Sequence, residues 1–268
     1  MSCLDRDLCS NHFLGALAEE DLRALKPHLE LVRVKSSQLL CDADAPATHL
    51  YFPTTAVISL LYLMEDGAIV EVASIGKEGL VGQETLTGGG NTPGRVEVRC
   101  GGLAYRIAAN AMRNESEKSL GIYRAMVSYM QALMTQIAQS ALCTRHHSIR
   151  QQLCRWLLVA HDQLDSDELT VTQQMIANML GVRREGVTDA AGQLQEAGLI
   201  LQRRGRINVL DRQGLEERAC ECYSMIRREF DRLLPHLDED VSAEEVLQVS
   251  PSGRPLRSHS RAAFSRSV

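Results

Sequence analysis

Residues 170–200, TVTQQMIANMLGVRREGVTDAAGQLQEAGLI, constrain the fold of this chain more than any other stretch. Thr172 is a favourable helix N-cap, and apolar residues follow it at helical spacing through Leu180. Gly181 stands where the C-terminus of a helix favours a residue at positive φ. A second helix is predicted from about Arg183 to Glu196, and its inward-facing residues are Val187, Ala190, Ala191 and Leu194. Two short helices joined by a turn that contains glycine predict a helix-turn-helix.

The beginning of the second helix carries charged residues suited to reading DNA. Arg183, Arg184 and Glu185 stand in its first turn, which enters the major groove in a helix-turn-helix. Arginine presents two parallel donors that match guanine O6 and N7, and glutamate accepts a hydrogen bond from the cytosine amino group. Thr188, one turn further on, is placed to reach a base or a phosphate. The sequence therefore predicts a recognition helix.

A basic hairpin is predicted directly after this helix. Ile200–Gln202 and Arg206–Leu210 have the pattern of two strands around the sequence RRGR. Its arginines, Arg203, Arg204 and Arg206, are suited to contacts with DNA phosphates. The whole chain has a net charge of −5, so attraction to DNA depends on this local cluster and not on overall charge. A merely solvated basic surface is the alternative interpretation of these arginines.

The N-terminal half has a different pattern. Residues 14–30 predict a short helix, and residues 31–107 contain short β-branched runs separated by Gly, Pro and Asn turns. Many short strands with regular turns indicate a sandwich or a barrel. The pattern becomes helical from about residue 109, and Ser148–Leu164 predicts a further helix whose Trp156 is a core residue.

A long helix is predicted for Leu120–Thr144, with Ile122, Met126, Leu133 and Ile137 repeating on one face. A second apolar stripe beside that face makes it a candidate dimer helix. Packing of the same helix against the β domain is an equal alternative, because spacing alone does not separate the two.

The remaining composition narrows the class of protein. A run of about 18 apolar residues, as a membrane span needs, is not found, and the N-terminus has no export signal. We therefore expect a cytoplasmic protein without membrane contact, and its eight cysteines as reduced thiols. No nucleophile elbow, metal-protease motif or nucleotide loop is present, so we do not expect an enzyme.

The order of these parts resembles the Crp/Fnr family of bacterial transcription regulators. The stretches that carry the resemblance are HSIRQQLCRWLLVAHDQL, MIANMLGVRREGVT, LQEAGLI, RGRINVLDRQGLE and CECY, within a match over residues 14–232. The resemblance implies an α+β class with an N-terminal β-roll like the cyclic-nucleotide-binding jelly roll, a long connecting dimer helix and a C-terminal winged helix-turn-helix. It implies a homodimer on double-stranded DNA, with RNA polymerase as a further expected partner.

Domain limits follow from the same resemblance. The sensor domain is expected at 14–142 with a dimerisation helix at about 118–144, and the DNA-binding domain at 145–232. Residues 238–268 are poor in apolar residues and rich in Ser and Arg, so we expect a disordered tail.

The resemblance also assigns DNA contacts. Arg184 and Glu185 match the family's base-reading pair, and Thr172 and Gln173 match positions that touch the phosphate backbone. Asp189 falls where the family often has an arginine that reads a base. The preferred DNA sequence is therefore expected to differ from that of the founding member.

The family's cyclic-nucleotide pocket is only partly matched in this chain. Gly82 and Gln83 stand where the family has Gly-Glu for the ribose hydroxyl, and the phosphate arginine falls near Thr92. Arg95 is close in sequence but out of register at the start of a strand. A cyclic phosphate without a counter-charge in a dry pocket is costly. We therefore expect no cAMP and no cofactor, with the effector left open; another small molecule in the β domain is an alternative.

A metal- or redox-responsive regulator of the same fold is the second hypothesis. Cys3 and Cys9 are too few for an N-terminal iron-sulfur site of the family type. The other candidates are Cys143, His146, His147, Cys220 and Cys222. Because buried structural thiols are commoner than zinc sites with such spacing, no metal ligand is predicted.

Overall fold

The structure is a computed structural model that describes residues 7–65, 67, 69–86, 94–164 and 166–234. Its helices are α1 (His12–Gly15), α2 (Glu19–Leu25), α3 (Ala109–Lys118), α4 (Leu120–His146), α5 (Ile149–Gln163), α6 (Gln173–Leu180), α7 (Arg184–Glu196), α8 (Arg212–Arg218) and α9 (Glu221–Leu233). Its strands are β1 (Glu30–Val34), β2 (Leu39–Cys41), β3 (His49–Pro53), β4 (Val57–Leu63), β5 (Ile69–Ile75), β6 (Arg95–Cys100), β7 (Gly102–Ala108), β8 (Glu168–Thr170), β9 (Ile200–Arg203) and β10 (Arg206–Val209). The predicted tail at 238–268 lies outside the described residues.

The N-terminal strands form two antiparallel sheets with the orders β1-β7-β3 and β2-β6-β4-β5. Alternate residues of antiparallel strands point to opposite faces, so each sheet buries one apolar face. The side chains buried between them include Leu50, Phe52, Ile58, Ile75, Val98 and Ile107. The predicted α+β class, with antiparallel sheets, a long helix and a C-terminal helix-turn-helix, is confirmed.

The first helical segment differs from the prediction of one helix over residues 14–30. The chain instead forms α1, α2 and a 3₁₀ turn at Lys26–His28, which contains Pro27. Asn11 caps α1 by accepting a hydrogen bond from the Leu14 amide, and its own amide donates to the Pro53 and Gly79 carbonyls. This buried asparagine ties the start of the described chain to the β domain, a long-range contact that helical spacing does not reveal.

Helix α4 covers the predicted long helix, but its apolar faces need a correction. Ile122, Met126 and Leu133 are buried in the core of the β domain, and Ile137 packs against that core. These four side chains of the candidate dimer helix therefore contact their own chain, as in the alternative of packing against the β domain. The exposed apolar side chains of α4 form a neighbouring stripe, and they include Leu120, Tyr123, Val127, Met134 and Leu142.

The C-terminal half has a separate core beneath the helix-turn-helix. Helices α5, α6, α7 and α8 pack around a sheet of order β8-β10-β9. The Ser148 side chain and Gln151 form a capping box at the start of α5. The central side chains are Leu153, Leu157, Ile176, Val187, Leu194 and Ile207, with Trp156 buried among them as predicted.

Polar side chains join the two halves of the chain. The Gln136 and Gln163 amides both donate to the Ser74 carbonyl on β5, at 3.0 and 2.9 Å. Arg99 of β6 donates to the Gln163 side chain at 3.1 Å and lies over the Trp156 ring. None of the helices in the described part of the chain has the length and apolar character that a membrane crossing requires.

Candidate nucleic-acid interface

The helix-turn-helix has the local geometry that its sequence predicts. The Thr172 hydroxyl caps α6 by accepting a hydrogen bond from the Met175 amide at 3.2 Å. Helix α6 ends at Gly181, which is left-handed with φ 65° and ψ 33°, and the Val182 amide bonds back to the Ala177 carbonyl. Because only glycine adopts this conformation without a steric penalty, Gly181 sets the turn that aims α7.

Helix α7 separates a buried face from an exposed polar face. Its buried residues are the predicted Val187, Ala190, Ala191 and Leu194. The five residues predicted to meet DNA bases, Arg183, Arg184, Glu185, Thr188 and Asp189, are all exposed. Arg183 is the N-cap residue and not the first helical residue, so the helix begins one position later than predicted. Donors and acceptors for base edges therefore stand together at one helix end.

Gly186 is a feature of the recognition helix that the sequence analysis missed. A Cβ at this position would lie 2.7 Å from the Ile149 side chain, so the glycine lets α5 and α7 approach closely. The sequence signal is a glycine inside a helix, where it normally costs about 1 kcal/mol relative to alanine. Here the glycine leaves room for the end of the Ile149 side chain between α5 and α7.

A chain of side-chain hydrogen bonds connects the recognition helix with the wing formed by β9 and β10. The Thr188 hydroxyl donates to Gln173 at 2.8 Å, and the Gln173 amide donates to the Gln202 side chain at 2.8 Å. The Gln202 backbone amide donates to Gln195 at 2.7 Å. Gln173, predicted to touch a phosphate, thus also holds the two DNA-facing elements in register.

The wing carries the predicted basic tip. Strands β9 and β10 pair with Arg203 opposite Arg206, and Gly205 has φ 72° in the turn between them. Arg203 and Arg204 are exposed, whereas Arg206 makes a 2.8 Å ion pair with Glu168. A cleft of about 610 Å³ separates the wing from the two helix starts, and its lining includes Thr172, Gln173, Arg184, Arg203, Arg204 and Arg206. Four guanidinium groups around one open cleft suit a phosphodiester backbone.

The predicted ligand residues of the β domain lie apart from this surface. Gly82 has φ 94°, and a Cβ there would meet the His49 carbonyl oxygen at 2.5 Å. The Gln83 side-chain oxygen is buried without a hydrogen-bond partner among the described residues. Arg95 begins β6 and donates to Asp42 at 3.0 Å, and the Ala43 amide together with Arg95 lowers the pKa of the Asp42 carboxyl. Thr92 lies outside the described residues.

Comparisons with known proteins agree with this geometry. Residues 151–218 match the family model of the Crp-like helix-turn-helix domain. Among solved structures, FixK2 from Bradyrhizobium japonicum has a TM-score of 0.62 at 16% identity, over 72% of this chain and 98% of that chain. The c-di-GMP-responsive global regulator CLP from Xanthomonas campestris has a TM-score of 0.59 at 16% identity, over 72% and 99%.

A third solved structure, a CRP-family transcriptional regulator from Thermus thermophilus, has a TM-score of 0.59 at 19% identity, over 70% and 96%. No curated protein matches the sequence. The C-terminal part of the chain therefore contains a Crp-like helix-turn-helix domain, and the solved structures share the fold of the chain. The resemblance to the Crp/Fnr family predicted from sequence is confirmed for the helix-turn-helix domain and for the fold.

Proposed function

We propose that this protein is a homodimeric, sequence-specific regulator that reads DNA through the start of α7 and holds the phosphate backbone with its wing. One observation carries the proposal: Arg184 of the recognition helix and the arginines of the wing line the same cleft. Arg184 and Glu185 read bases, whereas Arg203 and Arg204 contact phosphates. The protein acts in the cytoplasm on access of RNA polymerase to promoters, without a catalytic step.

The exposed stripe of α4 supports the dimer. Tyr123, Val127, Met130 and Met134 follow one another at spacings of four, three and four residues, which is the repeat of a coiled-coil seam. Met134 is 70% exposed and Tyr123 is 56% exposed, an unfavourable state for large apolar side chains. The seam borders an open, mainly apolar groove of about 860 Å³. A second copy of α4 fits this surface.

The dimer is tested by sedimentation of variants with one added charge. Met134→Glu places a carboxylate in the seam and should produce monomers, because an unpaired buried charge is costly. Met225→Glu is the matched control, since Met225 is an exposed methionine on α9 that does not line the groove. A dimer that survives Met134→Glu at the same concentration would show that α4 is not the interface.

We also propose that DNA binding does not require cAMP. Gln83 replaces a carboxylate that would accept the ribose hydroxyls, and Arg95 is committed to Asp42 at the start of β6. Titration of operator DNA with and without cAMP tests this, and a large gain in affinity on adding cAMP would contradict it. A metal-responsive regulator is the second candidate function, favoured by a cluster of thiols and imidazole at the end of α4.

The DNA-reading proposal is tested by selecting bound duplexes from a random pool with full-length protein and no added ligand. We expect a near-palindrome with half-sites about 10 base pairs apart. Arg184→Ala should reduce discrimination at its base pair about 5- to 150-fold, which corresponds to about 1–3 kcal/mol. Arg228→Ala, which removes an exposed arginine on α9, is the control and should leave the motif unchanged. A variant at Arg184 that selects the same motif with undiminished discrimination would refute the assignment.

A further inference from the structure

Four potential metal ligands meet where the long helix ends. Cys143 lies in the last turn of α4, and His147 immediately follows that helix. Cys220 is the N-cap residue of α9, and Cys222 lies in the first turn of α9. The three sulfur atoms and one imidazole nitrogen all lie within 4.8 Å of one another. Segments more than seventy residues apart in sequence therefore converge on one point.

Two separations within this cluster are close to the edges of a tetrahedral zinc site. Zn–S bonds of about 2.3 Å and Zn–N bonds of about 2.0 Å place neighbouring ligand atoms about 3.5–3.8 Å apart. The Cys143 and Cys220 sulfurs are 3.5 Å apart, and the Cys222 sulfur is 3.6 Å from His147 Nδ1. A disulfide would need about 2.05 Å, and all three cysteines are free thiols.

The orientation of His147 is a second, independent indication. Its Nδ1 atom faces Cys222, whereas its Nε2 atom is 3.3 Å from a Glu221 carboxylate oxygen. Histidines that bind metals usually donate their second ring N–H to a carboxylate or carbonyl, which fixes the tautomer and the direction of the lone pair. Glu221 is therefore placed to accept the second ring N–H of His147 and to orient the Nδ1 lone pair toward the cysteines.

The three thiols of this cluster are shielded from solvent. Cys143, Cys220 and Cys222 are each at most 5% exposed, and they form a small cluster of their own apart from the two larger cores. His146, considered together with His147 in the sequence analysis, is exposed and is not part of the group. The four-ligand set is thus Cys143, His147, Cys220 and Cys222.

We propose that these four residues bind one Zn²⁺ ion in a closed tetrahedral site. Four protein ligands leave no position for a reactive water, so the ion acts on structure and not as a catalyst. It joins the end of α4 and the start of α9 at the point where the chain passes from the long helix into α5. Zinc occupancy therefore fixes the hinge that orients the DNA-binding half. The site does not depend on the proposed DNA sequence preference, because metal content is measured without DNA.

The test uses untagged full-length protein purified in a phosphine reductant, so that oxidation does not remove ligands. We expect about one zinc per chain after gel filtration, and an X-ray absorption fit with three sulfurs at about 2.3 Å and one nitrogen at about 2.0 Å. The double variant Cys220→Ser/Cys222→Ser should lose the metal. Cys100→Ser removes a free thiol at the end of β6 and should retain it.

A second variant, in which one metal ligand replaces another, keeps the test decisive if the serine variant fails to fold. With Co²⁺ in place of zinc, Cys222→His should keep tetrahedral absorption bands while the thiolate charge-transfer band loses about a third of its intensity, because two thiolates remain of three. Wild-type protein with all thiols reduced that takes up no Zn²⁺ or Co²⁺ would overturn the proposal. Equal zinc in the wild type and the double serine variant would do the same.

Discussion

Replacing Arg99 by methionine tests how the two halves of the chain are joined. Arg99 lies on β6, its guanidinium is 5.3 Å from the centre of the Trp156 ring, and it makes a 3.5 Å ion pair with Glu71. The Arg99 and Glu71 side chains are only 5% and 6% exposed. Methionine keeps an unbranched apolar stem at this position but removes the positive charge and the hydrogen bond to Gln163.

The expected loss follows from the burial of the carboxylate that remains. Removing one partner of a buried ion pair costs about 3–5 kcal/mol, because the other charge is left uncompensated. The 3.5 Å separation is longer than the roughly 2.7–2.9 Å of a strong charge-assisted hydrogen bond, so the intact pair itself contributes little net stability. The double variant Glu71→Gln/Arg99→Met should therefore recover most of the loss.

Urea unfolding at one fixed protein concentration measures both effects. With a slope of about 2–3 kcal/mol per molar, Arg99→Met should lower the unfolding midpoint by about 1–2 M. Arg95→Met is the matched control, since Arg95 lies on the same strand and pairs with Asp42 where both side chains are 37% and 50% exposed. An exposed pair contributes at most about 1 kcal/mol. Equal shifts for the two single variants, or a double variant no more stable than Arg99→Met, would refute this reasoning.

Three further predictions concern single residues. Tyr129→Phe removes the hydrogen bond from the buried hydroxyl to the Leu80 carbonyl and should cost about 1–3 kcal/mol; an unchanged calorimetric melting temperature would contradict this. Gly181→Ala should lower the free energy of unfolding by about 1 kcal/mol, because φ is positive at this position. Gly192→Ala should raise the free energy of unfolding by about 1 kcal/mol, because Gly192 lies inside α7 and an added Cβ there would meet open space. Denaturation curves that shift in the same direction would disprove that contrast. Arg204→Ala should weaken binding to all duplexes alike and reduce the slope of log affinity against log salt by about 0.9; an unaltered slope in salt titrations would remove Arg204 from the interface.

The helix-turn-helix was predictable almost residue by residue because its determinants are local. A hydroxyl at Thr172, apolar residues at helical spacing and a glycine at 181 each act within one turn of the chain. The tip of the wing follows similarly from Gly205 between basic residues. The predicted limits of α6 agree with the structure, and those of α7 differ by one residue at its start.

The two faces of α4 were not separable from sequence, for a physical reason. A helix that packs on a β domain and also carries a coiled-coil seam has two adjacent apolar stripes, whose periods of 3.6 and 3.5 residues overlap over this length. The β domain buries the stripe of Ile122, Met126 and Leu133, so the stripe through Tyr123 and Met134 remains exposed. Which of the two stripes is buried depends on where the sheets lie, and the sequence pattern does not give that position.

Contacts between segments that are far apart in the sequence could not be predicted either. The proposed zinc ligands come from two segments, and Cys-x-Cys has no characteristic zinc spacing by itself. The return of α9 onto α4, where the Phe230 and Tyr129 rings are 6.4 Å apart, depends on turns after the wing that carry no periodic signal. Contacts of this kind can be placed only from the folded structure.

The hydrogen bonds to the Ser74 carbonyl and the proposed zinc site lie at opposite ends of α5. Near the C-terminal end of α5, Gln163 donates to the Ser74 carbonyl on β5, the same oxygen that accepts from Gln136 of α4. We therefore expect a displacement of β5 to act on the long helix and on the C-terminal half together. At the N-terminal end of α5, zinc bound by the cluster with His147 would restrain the connection from α4. Because α5 packs directly against α7 at Gly186, we expect a change at either end of α5 to alter the orientation of the start of α7, where Arg184 lies.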